Sequence, residues 1–414
     1  MKNIYFKSIL LLTSGSMLGQ IIGFLGSMFM TRLYSTSDIG IMTTIISVSG
    51  IFASVINGRF DFAIVKEQNR ERVLALVKFS ILFGVLASLL ISIFSFPYFA
   101  NIEGFISPLW SVIFVFLILV IQAFSNVFKS YNNNVGDYRT MTSVIVMRRL
   151  AEESSMIVFG ICGGKVFGLL ISRVIGQYFG MRREIRNIKK YTKEIIEVRW
   201  KEIKNVYRIH KRQLSYSAPA ALMNAGSYSL INLIIGKFFG LDLLGIYAIS
   251  FAVLGLPLSV ISGNVSKVYF GEASKEYASS GTFSKSTIMT LKYLLVFSLF
   301  LFFIMFYVFP ILVPIIYGQK YDNAGYMIRI LSPMFAIRFV SSALNTGLVV
   351  SNKQNFELII QMFFIISVLV LLMFCIGNMM SIRTFLLGVS VSYSIVYLIN
   401  LIAIYFFSRK ENKL

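Results

Sequence analysis

Ionisable residues interrupt several otherwise apolar stretches of the chain, and each placement suggests a chemistry. The run RRLAEE sets Arg148 four residues before Glu152 and Arg149 four before Glu153, so both pairs can stack along a helix. Either the pairs are self-neutralising and structural, or one glutamate carries a proton, since a low-dielectric setting favours the protonated carboxyl. Arg338 lies five residues after Pro333, in the middle of a long apolar run. A guanidinium there either meets an acid on another helix or holds an anionic ligand, because its fork fits phosphate and carboxylate bidentately. Arg173, in GLLISRVIGQY, is a further cation of the same kind. In NGRFDFAIV, Arg59 and Asp61 form a local pair or line the mouth of a cavity. Asp61, Glu152 and Glu153 are the carboxylates available to bind a coupling cation, H⁺ or Na⁺.

Other chemistry lacks its residues. There is no Walker A loop, no Gly-rich dinucleotide fingerprint and no HExxH, and the lone His210 cannot serve a Ser/His/Asp set or a metal centre. Two cysteines, Cys162 and Cys375, make no disulfide framework. The sequence therefore predicts no enzyme, no cofactor and no metal.

The elements that must carry these residues follow from composition. Of 414 residues, 57% are apolar and 14% charged, with a mean hydropathy of +0.76. Soluble domains are about 45–50% apolar and about 25% charged. The apolar residues recur in blocks of bilayer length. Twelve spans are predicted: Ile9–Thr31, Gly40–Gly58, Val73–Phe94, Leu109–Phe128, Met141–Ile161, Val166–Met181, Ser215–Gly236, Gly245–Ser266, Leu291–Ile316, Tyr326–Val350, Phe356–Ile376 and Phe385–Phe407. The first block shows no small-residue cleavage site. Continuous apolar runs exclude a β-barrel. Pro219, Pro257 and Pro333 fall inside spans 7, 8 and 10, where each permits a kink.

The net charge of +21 is concentrated between the blocks, which suits an anionic membrane face better than nucleic acid. With twelve spans, 28 basic residues fall on the side of both termini and five on the other, so the termini are expected in the cytoplasm. No outer loop is long. Residues 182–212 form the longest polar stretch, with Ile196, Trp200, Ile203 and Tyr207 at helical spacing. An amphipathic helix on the anionic lipids of the cytoplasmic leaflet is expected.

Shifting the chain by 205 residues aligns span 2 with span 8. Gly40, Ile41, Val48, Gly50, Ser54, Val55, Ile56 and Gly58 recur as Gly245, Ile246, Val253, Gly255, Ser259, Val260, Ile261 and Gly263. Arg32 falls on Lys237, at the outer ends of spans 1 and 7, either as interface anchors or as added cationic contacts. Parallel six-span halves are a transporter architecture, with substrate held between them. The expected division is 1–181, a basic linker 182–212, and 213–414.

Several segments, in order, carry a family resemblance: TRLYSTSDIGIMTTI, GRFDFAIVKEQNRERVLAL, FGLLISRVIGQY, LSYSAPAALMNAGSYSLINLIIGKFFG and YGQKYDNAGYMIRILSPMF. The chain resembles the Wzx-type polysaccharide (O-antigen repeat-unit) flippases of the MOP, MATE-like, exporter superfamily. The resemblance implies an all-α protein of two V-arranged six-helix lobes in the bacterial inner membrane. It implies transfer of an undecaprenyl-pyrophosphate-linked oligosaccharide to the outer leaflet by alternating access. It also implies contact with a polysaccharide polymerase and a chain-length regulator. Arg338, Arg148, Arg149, Arg173, Arg59, Arg32 and Lys237 would then meet the anionic substrate. A MATE-like small-molecule antiporter is the alternative. A membrane polysaccharide polymerase or ligase, which would carry a large outer loop, fits less well.

Overall fold

A computed structural model describes residues 2–378 and 380–409. Every assigned element among them is helical, as expected where no water is present to satisfy backbone N–H and C=O groups. Lys410 and Lys413, which entered the charge count, lie outside the described residues.

Helices occupy all twelve expected positions. Among the described residues, nine stretches are long and apolar enough to cross a membrane on composition alone. The other three positions are span 1 (Lys2–Leu33), span 5 (Tyr138–Ile161) and span 6 (Lys165–Phe179). Span 5 carries five charged residues and span 6 has only 15 residues, and spans 1 and 6 both pack on span 5.

Local sequence sets the helix ends. Ser35 caps span 2 (Thr36–Ala53) in a capping box with Asp38. Asn69 caps span 3 (Arg70–Phe94), and Pro108 opens span 4 (Pro108–Asn134) where its missing N–H costs nothing. Two of the three prolines expected to kink spans adjoin π-helical turns: Gln213–Ser217 before Pro219, and Leu258–Ser262 after Pro257. A third such turn, Ile304–Val308, precedes Pro310 in span 9. Widening the helix by one residue per turn accommodates a ring that would otherwise strike a carbonyl. Pro333 instead sits within the continuous α-helix of span 10, Ala324–Leu344.

The chain forms two compact units, Met1–Asp242 and Leu243–Leu414. In the first, span 2 packs against spans 4 and 6 through Ile41, Ile45, Val115, Leu119 and Leu170. Span 7 (Ala218–Phe238) also packs on span 2. Gly40 marks a close approach, since a Cβ there would strike the backbone carbonyl of Leu241. In the second unit, span 10 is the central helix, with Leu331, Phe335, Phe339 and Val340 almost fully buried. It packs against spans 9 and 12, and Asn400 of span 12 (Ile382–Arg409) donates to Ser341 and Asn345.

The linker corrects one expectation. Residues 182–199 are strapped to the start of span 3: Arg70 pairs with Glu194 at 2.7 Å, and Lys78 donates to the Ile196 and Val198 carbonyls. In the following helix, Trp200–Arg212, the buried residues are Ile203 and Val206, in contact with span 3. Of the expected lipid-facing stripe, Ile203 is turned inward, while Ile196, Trp200 and Tyr207 are exposed.

Candidate functional site

The charged residues of span 5 belong to two ionic groups, a network of Arg149, Glu152, Glu153 and Arg173 and a separate Arg148–Glu184 pair. Arg149 pairs with Glu153 at 2.9 Å, as the four-residue spacing predicts, and with Glu152 at 3.5 Å. Arg148 does not pair with Glu152. Its guanidinium donates to Glu184 Oε2 at 2.7 Å and to Ser125 Oγ at 2.7 Å. Glu152 instead accepts from Arg173 of span 6 at 2.7 Å. Arg148 and Glu152 leave the helix toward different neighbours, so the expected self-contained pair is replaced by bridges between elements. Three arginines face three glutamates, and the formal charge of each group is zero. The expected cationic contribution of Arg148, Arg149 and Arg173 is therefore balanced where they stand.

Glycines make the room for this network. Gly15, Gly19, Gly23 and Gly26 of span 1 face Thr142, Ile145, Arg149 and Glu153 of span 5 in matching order. A Cβ at Gly23 would overlap the Arg149 guanidinium, and one at Gly26 the Glu153 carboxylate. Span 6 approaches from the other side, with Gly176 against Glu152. Small residues at these spacings let the backbones close on a charged helix and screen it from lipid.

Glu184, which the sequence reading passed over, is almost fully buried. Burial pushes its carboxyl pKa up, against the opposing pull of Arg148. Its backbone carbonyl accepts from Asn132, and Asn187 beside it bridges Asn132 to Asp137. Burial works to raise Asp137 as well, but hydrogen bonds from Asn187 and Thr140 hold it below the ordinary carboxylate value. The Arg148–Glu184 pair is thereby continuous with the end of span 4 and the start of span 5.

Arg59 and Asp61 lie together just after span 2. Arg59 adopts a left-handed backbone (φ 64°), stacks 3.7 Å over Phe62 and donates to Ser217 Oγ. Asp61 is buried, with Oδ1 accepting no hydrogen bond, and burial pushes its pKa up to about 6 despite Arg59 nearby. Arg32 and Lys237 are exposed, Lys237 lying 5.8 Å from the Phe238 ring.

Arg338 belongs to the second unit, apart from these groups along the chain. It is half-buried over Phe335 at 5.3 Å and Phe251 at 5.6 Å, and its charge acts on the hydroxyls of Tyr247 and Tyr393. Rings of spans 8 and 10 thus flank this guanidinium. Flat cationic and aromatic faces stack favourably where water is scarce. A groove of about 1620 Å³ also lies in this unit, between Gly263–Ser280 and Ser284–Phe303, and no predicted site residue lines it.

Comparison with known proteins places the fold. The chain is similar to a multidrug resistance MATE family transporter of the MOP superfamily solved in an inward-facing conformation, with TM-score 0.74 and 12% identity over 98% of this chain and all of that one. It is similar to the lipid II flippase MurJ, with TM-score 0.70 and 12% identity over 97% of this chain and 88% of that one. A MOP superfamily transporter from Pyrococcus furiosus aligns at TM-score 0.60 and 11% identity, over 98% and 97% of the two chains. At these identities the likeness establishes the fold. No curated protein matches the sequence. A family profile does: the one described as polysaccharide biosynthesis protein matches residues 29–326, well over half of the chain. Twelve helices of MATE-like fold, with a screened ionic network in the bilayer, thus carry the sequence of that family, and the chain belongs to the polysaccharide biosynthesis proteins.

Proposed function

We propose that the protein is a flippase that moves an undecaprenyl-pyrophosphate-linked oligosaccharide, such as an O-antigen repeat unit, from the cytoplasmic to the outer leaflet. The observation that carries this reading is a polysaccharide biosynthesis sequence folded as a MATE-like transporter. Two six-helix lobes, 1–181 and 213–414, alternate access about the linker 182–212. Both termini face the cytoplasm of a bacterial inner membrane, and a polymerase and chain-length regulator receive the product.

Charge balance supplies the coupling. The network of Arg149 and Arg173 with Glu152 and Glu153 is neutral, as is the Arg148–Glu184 pair, so an anionic pyrophosphate gains from either only when a carboxylate is neutralised. A proton on Glu153 releases Arg149, and one on Glu152 releases Arg173. Each release leaves one cation for the incoming substrate, and its departure favours return of the pair. The proton is taken up in the outward-open state and given up inside once the lipid has replaced the carboxylate on the freed arginine, so the two cross in opposite directions by differential affinity. Na⁺ on the same carboxylates would act alike. Arg338 holds the anion in the second lobe, and Arg59 and Asp61 meet it at the cytoplasmic mouth, with Arg32 and Lys237 at the outer end.

Cells lacking the protein should lose surface polysaccharide and accumulate the lipid-linked unit; unchanged surface polysaccharide would contradict the reading. The MATE likeness favours a second reading, small-molecule antiport, in which drug efflux rather than polysaccharide changes on deletion.

A further inference from the structure

The charged groups account for the pyrophosphate but not for the sugars, and a set of neutral amides flanks span 2 within the first unit. Gln122 Nε2 donates to Asn126 Oδ1 at 2.7 Å. Asn126 Nδ2 donates in turn to the Ala53 carbonyl at 3.0 Å and to Asn57 Oδ1 at 3.2 Å. Asn57 Nδ2 ends the chain on the Ser80 and Ala123 carbonyls. The N–H groups of this relay all donate in one direction, so it begins at Gln122. On the other flank, Asn232 of span 7 donates to Ser47 Oγ at 2.8 Å. Among the described residues, neither Gln122 Oε1 nor Asn232 Oδ1 accepts a hydrogen bond.

Gln122 and Asn232 are half-buried, not enclosed. A partly exposed carboxamide at bilayer depth is costly against hydrocarbon, so these two face a polar phase. Asn126, which holds Gln122, contacts Ala53, and Asn232 contacts Ser47 on the same helix, span 2. Held by its own donated bond, each amide offers a fixed carbonyl acceptor, the complement of a sugar hydroxyl and of no use to a phosphate.

We propose that Gln122 and Asn232 form a neutral glycan-recognition site that reads hydroxyls of the carried oligosaccharide. The inference rests on the flippase reading and deepens it. The test uses the full chain in phosphatidylethanolamine–phosphatidylglycerol vesicles, with two probes: undecaprenyl pyrophosphate, and the same lipid bearing the oligosaccharide extracted from cells that make this protein. Wild type should bind the glycosylated lipid more tightly. Gln122→Met and Asn232→Leu keep side-chain volume and remove the acceptors, and together they should weaken binding of the glycosylated lipid by roughly tenfold while leaving the bare lipid unchanged. Equal binding of the two lipids by wild type overturns this inference alone, as does a double variant that binds the glycosylated lipid like wild type. An equal loss for both lipids also overturns it, by marking the amides as structural. A wild type that binds neither lipid overturns the flippase reading with it. Should the double variant fail to fold, each single variant is read by the same ratio of the two lipids.

Discussion

Arg148 donates to Glu184, 36 residues away along the chain, at 2.7 Å, with Glu184 almost fully buried beneath it. The pair ties span 5 to the segment that follows span 6. Glu152 to Arg173 is a second tie between elements, within the separate network that holds Arg149 and Glu153.

Breaking one member of a buried pair leaves the other charge stranded, whereas removing both can be nearly neutral. Glu184→Met should therefore destabilise the protein by about 3–5 kcal/mol, and Arg148→Met with Glu184→Met should recover most of that loss. Unfolding of the purified variants in detergent measures both. Additive losses in the double variant would show that the pair is not coupled.

The glycine contacts differ in what they face. A methyl at Gly40 meets the Leu241 backbone carbonyl, which cannot rotate away, while one at Gly26 meets the mobile end of Glu153. Gly40→Ala should cost about 1–3 kcal/mol and lower the melting temperature more than Gly26→Ala. Gly26→Ala should instead disturb transport, through the displaced carboxylate. Thermal melts and a transport assay on both variants separate the two effects.

Asp61 is held protonated up to about pH 6 by burial, with Arg59 opposing. Its folded pKa lies above the ordinary aspartate value of 3.8. The stability it contributes is thus complete below pH 4 and lost as pH rises through about 6. Wild type should lose stability between about pH 4 and pH 6 relative to Asp61→Asn, whose melting temperature lacks this component. Parallel profiles for the two proteins would remove Asp61 from the pH dependence.

Much of this was legible from sequence where the geometry is local. Arg149 and Glu153 lie four residues apart on one helix, and the helix brings them together. The partners of Arg148 and Glu152 come from elsewhere in the chain, and no spacing rule names Glu184, a residue in a linker crowded with other charges. Pro219 and Pro257 predicted irregular helix, and π turns adjoin both, but a span can also absorb a proline, as Pro333 shows. The linker stripe failed differently. Ile203 is buried with Val206 against the first unit, and Tyr207 sets its ring 6.0 Å from Phe79 of span 3 while Trp200 stays exposed. Gln122 and Asn126, four apart in an apolar run, were a readable signal hidden by attention to charge.

Arg338 gives a test within the second unit. Its guanidinium combines charge with a flat face over Phe251 and Phe335. Arg338→Ala should abolish surface polysaccharide while the protein still reaches the membrane. Arg338→Lys keeps the charge but loses the planar fork and should restore only part. Normal polysaccharide in the alanine variant would take Arg338 out of the mechanism.

The account turns on the exchange of a proton for an anionic lipid at the charge-balanced network. The direct measurement is made on purified protein in sealed vesicles, following proton movement while the lipid-linked oligosaccharide crosses the bilayer. Wild type should move protons opposite to the lipid. Glu152→Gln and Glu153→Gln should separately reduce that flux, and together abolish it. Lipid translocation without proton or sodium flux in wild type, or undiminished flux in the double variant, would contradict the account.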